Sequence, residues 1–415
     1  MRAETIFGLI AVILLLPAWS LGQQHERGSP TPLKQLVEQV SKQSPDVLVA
    51  EQRWETTRFA SKQASALPET ELMAQHVSVG SPRPFAGYSN SDFAYIGFGA
   101  SQDLPFPGKR ALRGLVAERE SDVVRKQAEV ARQDAVQRLK VAYFQLAYLQ
   151  QSLSLLEEND RGLRDIEHIT EAHYGLGQGT QQDVLKAQLQ HTKILSEIAM
   201  HHREVGELQA ELKGLLNQPQ ESSDIITEPL QITTLTSPPP ISDSADLQVR
   251  REQILGADAG TNLAAKETKP DFTVQYMWQR TANNFRDYYM ATFGIRLPNR
   301  GRTQAAIAEA MATRQQAQAE FNATQRALES EVQKQLVLIG TSEDQLKIYR
   351  EGLVPQSQAT LSASTAAYQN GKQDFETLLS GFNDVLRLQL DYLHEVADHQ
   401  IAIAKLERLT GVALQ

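Results

Sequence analysis

The chain has 415 residues, 41 Lys+Arg against 50 Asp+Glu, a net charge of −9 and no cysteine. Its 41% apolar and 22% charged residues describe a chain that folds rather than a disordered tail. The acidic balance, without any long basic run, argues against nucleic acid as a partner. Zero cysteines exclude disulfides, cysteine nucleophiles, zinc ribbons, iron–sulfur sites and a lipidated N-terminal cysteine.

Arg2 is followed by the apolar run Ile6 to Leu16 and then by Pro17, Ala18, Ser20 and Gly22. Residues 1–22 therefore read as a cleavable export signal, cut after Ser20 or Gly22. The run falls short of the ~20 residues that a membrane helix needs.

The remainder is one unit used twice. Leu104-Pro105-Phe106-Pro107-Gly108-Lys109 returns as Leu297-Pro298-Asn299-Arg300-Gly301-Arg302, an offset of 193. Ala172-His173-Tyr174-Gly175-Leu176-Gly177 returns as Ala366-Ala367-Tyr368-Gln369-Asn370-Gly371, an offset of 194. The first repeat spans 23–217: a helix over 33–64, a β-hairpin over 70–104 and a long helical hairpin over 108–217. Residues 218–244, with prolines at 219, 229 and 238–240, form a linker or a small irregular subdomain. The second repeat spans 245–415, with a helix over 245–266, a β-hairpin over 271–297 and a long helical hairpin over 302–411. The fold class is mainly α with a small β part.

In the strands, Ala94, Ile96, Phe98 and Ala100 share one face, as do Phe272, Val274, Tyr276 and Trp278, and Tyr289, Ala291, Phe293 and Ile295. This alternation fits a half-buried soluble strand or a tilted membrane strand. Four strands cannot close a barrel within one chain, so the membrane reading requires an oligomer. Trp278, Tyr288 and Tyr289 would then be interfacial aromatics.

Heptad seams run along the last helix of each repeat. One includes Val184, Ala187, His191, Ile194, Leu212 and Leu215, the other Leu378, Val385, Leu388, His399, Leu406 and Leu409. A helix over 109–173 would be roughly 100 Å long at ~1.5 Å per residue.

Chemistry is scarce. His394-Glu395 and His399 resemble a zinc-protease helix, but the second histidine stands at i+5 where i+4 is needed. No nucleophile elbow or general acid–base pair is present, so we expect no catalysis, no metal site and no cofactor. Gly175 to Thr180 is a helix–helix turn. Lys109, Arg110 and Arg113, with Arg300 and Arg302, sit where strand passes into long helix and oppose the helix dipole. They read as solvated charge or as contacts to lipid phosphates.

The repeats and the stretch Tyr174-Gly175-Leu176-Gly177-Gln178-Gly179-Thr180-Gln181-Gln182-Asp183-Val184-Leu185-Lys186-Ala187-Gln188 resemble the TolC family of outer-membrane efflux channels. The second copy keeps Tyr368, Gly371 and Leu378-Leu379, with Thr377 in place of the aspartate. The resemblance implies a homotrimer in the outer membrane, with a shared 12-stranded β-barrel continued by a periplasmic α-barrel. It implies a periplasmic tip near Tyr174, Gly177, Gly179, Thr180, Asp183, Tyr368, Gly371 and Asp374, where an adaptor protein of an inner-membrane pump of the RND type docks. Gln102 to Arg110 resembles the branch that serves heavy-metal pumps. The implied function is a passive exit duct for small molecules or metal ions. The alternatives are the duct of a type I protein-secretion system and a periplasmic coiled-coil scaffold without a pore.

Overall fold

The structure, a computed structural model, describes residues 30–78, 93–235, 237–281 and 287–414. The export signal at 1–22 lies outside the described residues. The segment expected as one helix over 33–64 is three helices: α1 (Leu33–Gln43), α2 (Pro45–Arg58) and α3 (Ala60–Ser65). Pro45 explains the first break, because its ring pushes the preceding Ser44 into extended backbone at φ −57° and ψ 134°.

Strands β1 (Glu71–Val77) and β2 (Tyr95–Leu104) precede helix α4 (Lys109–Gly175), whose 67 residues make it roughly 100 Å long. Helix α5 (Gln181–Leu215) returns along it, and α6 (Ala245–Lys266) opens the second repeat. Strands β3 (Asp271–Thr281) and β4 (Tyr288–Arg296) lead into α7 (Arg300–Ile348). A π-helical turn at Tyr349–Leu353 joins α7 to α8 (Val354–Gln369), and α9 (Phe375–Thr410) closes the fold.

The proline-free stretch of the second repeat ends at Val354, yet the helix continues through Pro355. A proline inside an α-helix removes one hydrogen bond and clashes with the carbonyl four residues back. The wider turn avoids both problems: Val354 N–H reaches the Tyr349 carbonyl, five residues back, just ahead of the proline.

The four strands form one antiparallel sheet in the order β1-β2-β3-β4. The β2–β3 pairing, from Tyr95 opposite Thr281 to Leu104 opposite Phe272, stitches the two repeats together. Below it, α4 packs against α5, α6 and α9, and α9 also packs against α7 and α8. Both seams hold, with Ala187, Ile194, Leu212, Leu378, Val385, His399 and Leu406 buried.

The linker is an extended strap held to the helices by side chains that pair with its backbone. Gln209 clamps Ile225 from both sides, donating to its carbonyl at 2.8 Å and accepting from its N–H at 2.9 Å. The Gln150 amide accepts from Thr227 N–H at 3.0 Å, and the Tyr143 hydroxyl accepts from Glu228 N–H at 2.8 Å. His399, fully buried, donates from Nε2 to the Thr233 carbonyl at 2.7 Å. Its place in the seam is therefore structural.

Where sheet meets helices, Lys109 is only 1% exposed and its Nζ lies 2.9 Å from both Glu267 and Asp271. The ammonium also donates to the Lys269 carbonyl at 2.8 Å, and Arg113 pairs with Glu267 at 2.7 Å. Burial pushes the Glu267 carboxyl up, but hydrogen bonds from Lys109 and Arg113 outweigh it and hold it below the ordinary value. A lowered carboxyl stabilises the fold fully above its unfolded value and stops doing so as pH falls through the folded one. We expect Lys109→Gln to lower the melting temperature in detergent at pH 7, and the deficit to shrink as pH drops below about 4.3. A second ion pair, Lys140 with Glu407 at 2.5 Å, is buried between α4 and α9. Lys140→Met should cost about 3–5 kcal/mol by taking the cation away from the buried Glu407 carboxylate, and adding Glu407→Leu should recover most of it in chemical unfolding.

Candidate functional site

Two surfaces carry the residues singled out in the sequence: the sheet and the far ends of the helical hairpins. Across the sheet, register sets Phe98 opposite Trp278 and Trp278 opposite Tyr289. Ala100, Tyr276 and Ala291 form the next row, followed by Gln102, Val274 and Phe293, then by Leu104, Phe272 and Ile295. This face is apolar and open: Phe98 is 55% exposed, Tyr276 51%, Tyr289 66%, Phe293 63% and Ile295 56%. Phe98 stacks on Trp278 at 6.3 Å and Phe272 on Phe293 at 5.7 Å.

The opposite face carries Gly97, Gly99, Ser101 and Asp103 on β2, Thr273, Gln275, Met277 and Gln279 on β3, and Met290, Thr292 and Arg296 on β4. Arg296 pairs with Asp103 at 3.3 Å, and Thr273 donates to the same carboxylate at 2.6 Å. Among the described residues, no helix packs broadly on either face. Alternation divides the three expected aromatics: Trp278 and Tyr289 stand on the apolar face, whereas Tyr288, opposite Gln279, belongs to the polar one.

The basic residues do not act as one group. Lys109 and Arg113 belong to the internal ion cluster, and Arg110 donates to the Ser65 carbonyl at 2.9 Å. Contact with lipid phosphates is thereby ruled out for Lys109, whose charge is enclosed by two carboxylates and a carbonyl. Arg300 and Arg302 remain exposed at the start of α7.

At the hairpin ends the two repeats use the same turn. Gly177 has φ +71° and Gly371 φ +65°, the left-handed conformation that terminates a helix and that glycine adopts without strain. Gln178 N–H reaches back to the His173 carbonyl at 2.8 Å, and Lys372 N–H to that of Ala367 at 2.9 Å. Gly179 lies close to the helix end, where a Cβ would sit 3.4 Å from Tyr174 N.

The next helices start with mirrored caps. Thr180 caps α5, accepting from Asp183 N–H at 3.3 Å, while Thr180 N–H donates to Asp183 at 3.0 Å. Asp374 caps α9, accepting from Thr377 N–H at 2.8 Å. The threonine and the aspartate have exchanged places, so each hairpin keeps one carboxylate at its helix N-terminus. The Thr377 hydroxyl and N–H hold the Asp374 carboxyl below its usual range. Thr377 in place of the aspartate did not by itself show this; the signal was Thr-x-x-Asp against Asp-x-x-Thr at the same repeat position.

The paired tyrosines differ. Tyr174 is 49% exposed, whereas Tyr368 is 6% exposed and packs 5.0 Å from His173 and 5.9 Å from Phe375. Lys186 on α5 pairs with Glu376 on α9 at 2.5 Å, tying the hairpins together near the tip.

The same architecture occurs in solved outer-membrane proteins. VceC from Vibrio cholerae superposes with a TM-score of 0.77 at 19% identity, over 92% of this chain and 97% of that one. The open-state MtrE channel from Neisseria gonorrhoeae gives 0.78 at 16%, over 92% and 89%. CusC, described in terms of transmembrane channel formation, gives 0.78 at 16%, over 97% and 100%. No curated protein sequence matches. The sequence profile of the outer membrane efflux protein family matches residues 36–218 and 241–412, one stretch in each repeat. Channels of this family are homotrimers that work with adaptor proteins and inner-membrane pumps. The chain belongs to the outer membrane efflux protein family, as an outer-membrane channel protein whose helices stand in the periplasm.

Proposed function

We propose that three copies of the chain build one conduit, each giving four strands to a 12-stranded barrel and its helices to a tube beneath it. The observation that carries this reading is the sheet: among the described residues its apolar face is uncovered and its outer strands β1 and β4 each have one unpaired edge. In hydrocarbon an open edge leaves backbone groups without partners, so pairing β4 of one copy with β1 of the next satisfies both. The helical part supports the same closure. Leu185, Leu189 and Leu195 are 57%, 57% and 45% exposed on α5, and Val337, Leu338 and Ile348 are 58%, 55% and 58% exposed on α7. Two different apolar edges on one protomer suit a head-to-tail contact that closes by rotation.

The conduit is passive, energised by an inner-membrane pump of the RND type and joined to it through an adaptor at the hairpin tips. Asp183 and Asp374 supply two carboxylates per protomer at that end, beside the exposed Tyr174 and Leu176. Its cargo is small molecules or metal ions. The outer-membrane lipids meet the aromatic face, with Trp278 and Tyr289 in the apolar band and Arg300 and Arg302 below it.

Protein extracted from outer membranes in mild detergent should have the native mass of three protomers; a monomer in the soluble periplasmic fraction would overturn the reading. Gly177→Val and Gly371→Val place a β-branched residue at positive φ, at about 1–2 kcal/mol each. Both should reduce export while leaving insertion and trimer mass intact, whereas Gly177→Asn should retain most activity because asparagine tolerates that conformation. Unchanged export in both valine variants would count against the tip as the docking end.

A further inference from the structure

Among the described residues, five methionines remain in the chain, and three fall in one ladder row of the sheet. Met73 on β1 is opposite Gly99 on β2, Gly99 is opposite Met277 on β3, and Met277 is opposite Met290 on β4. All three stand on the face opposite the aromatics. With neighbouring strands ~4.8 Å apart, Met277 and Met290 are adjacent, and Met73 and Met277 are separated by one strand.

That intervening strand carries no side chain in the row. Gly97 and Gly99 form a floor of bare backbone between the two thioethers, and a Cβ added at Gly97 would come within 3.7 Å of the Met277 sulfur. The sulfurs already receive amide groups: Gln279 Nε2 lies 3.2 Å from Met277 Sδ, and Gln275 Nε2 lies 3.8 Å from Met73 Sδ. The next row is equally free of charge, with Gln75, Gly97, Gln279 and Tyr288 in register. Met277 is 1% exposed and Met290 43%, so the row has a covered centre and an open side.

We propose that this row is a binding site for a soft monovalent cation, Cu(I) or Ag(I), on the inner wall of the barrel. The assignment rests on the trimeric-channel reading above, which places this face toward the lumen, and it narrows the cargo to soft metal ions. Thioethers are soft, uncharged donors that cannot be blocked by protonation, and they favour Cu(I) over Zn(II), Mg(II) or Ca(II). A chain without cysteine has no thiolate donor, so sulfur ligation falls to methionine. Neutral ligands also hold an ion loosely, which suits a wall site that must release what it binds. Methionine's flexible side chain lets the sulfurs converge over the glycine floor without backbone movement. The cation displaces the two weak amide contacts, and the freed Gln275 and Gln279 amides can turn their carbonyl oxygens toward it.

The test uses full-length protein in detergent, labelled with ¹³C on the methionine methyl groups and titrated with Ag(I) in chloride-free buffer. The resonances of Met73, Met277 and Met290 should shift together, while the exposed, isolated Met200 and Met311 should not, and Zn(II) should move none of them. Met73→Leu with Met277→Leu and Met290→Leu, which preserves apolar volume, should weaken silver binding at least tenfold in calorimetry. Equal shifts at all five methionines, or none, would overturn the site. Native mass is read on the same sample. A trimer without the selective shift removes the site and leaves the channel standing, whereas a sample that is not trimeric removes the channel reading and the lumenal placement with it.

Discussion

The ladder between β2 and β3 is the constraint from which the rest of the molecule takes its sense. It is the pairing that joins the two repeats within the sheet, and it runs unbroken from Tyr95 opposite Thr281 to Leu104 opposite Phe272. Side chains alternate with a period of two, so a slip by one residue would bring Phe98 level with a residue of the opposite face and mix apolar with polar positions. The register is pinned at its helical end. Phe106 N–H donates to Asp271 at 2.8 Å, and Lys109 grips the same carboxylate at 2.9 Å. A buried ammonium with two anionic partners thus fixes which face of the sheet looks where.

Much of this was legible from residue order, because the signals are local or periodic. The duplication, the alternation around Phe98, Tyr276 and Phe293, the heptad seams and the two glycine turns each depend on residues a few positions apart. What escaped depends on contacts across the fold. Lys109 looked like an exposed cation set against a helix dipole, since Glu267 and Asp271 lie far away in sequence. The strap over 218–244 looked irregular because its hydrogen-bond partners, Gln150, Gln209 and Tyr143, belong to distant helices. Pro355 lies inside the long helical hairpin expected over 302–411, and nothing local to it announced the wider turn that precedes it. The methionine row could not be read without register, for Met73 and Met277 fall in one row only when β1, β2 and β3 are aligned.

The two halves carry corresponding elements in different environments. Helix α9 is packed on several sides, by α4, α7 and α8, so its seam has widened to include Phe382, Leu386, Ile401 and Ile403. Helix α5 packs chiefly on α4 and keeps a row of exposed leucines. The tyrosines at the tip diverge in the same sense, Tyr368 turned into the core and Tyr174 left at the surface. Only the turn itself is conserved in geometry, down to a carboxylate at each helix start whose position has migrated by three residues.

The π-helical turn also accounts for an arithmetic mismatch between the halves. The strand-to-helix motifs are related by 193 positions and the tip motifs by 194, so the second repeat holds one additional residue between Arg302 and Ala366. A turn with i→i+5 bonding is the form in which a helix stores one extra residue without passing it on. In an undisturbed α-helix, that residue would rotate everything beyond it by about 100°, carrying Tyr368 out of its contact with His173 and Phe375. Confined to Tyr349–Leu353, the insertion leaves the upper and lower parts of the helix facing the neighbours that the first repeat would lead them to have. The second half of this chain is thus a longer copy that keeps its phase.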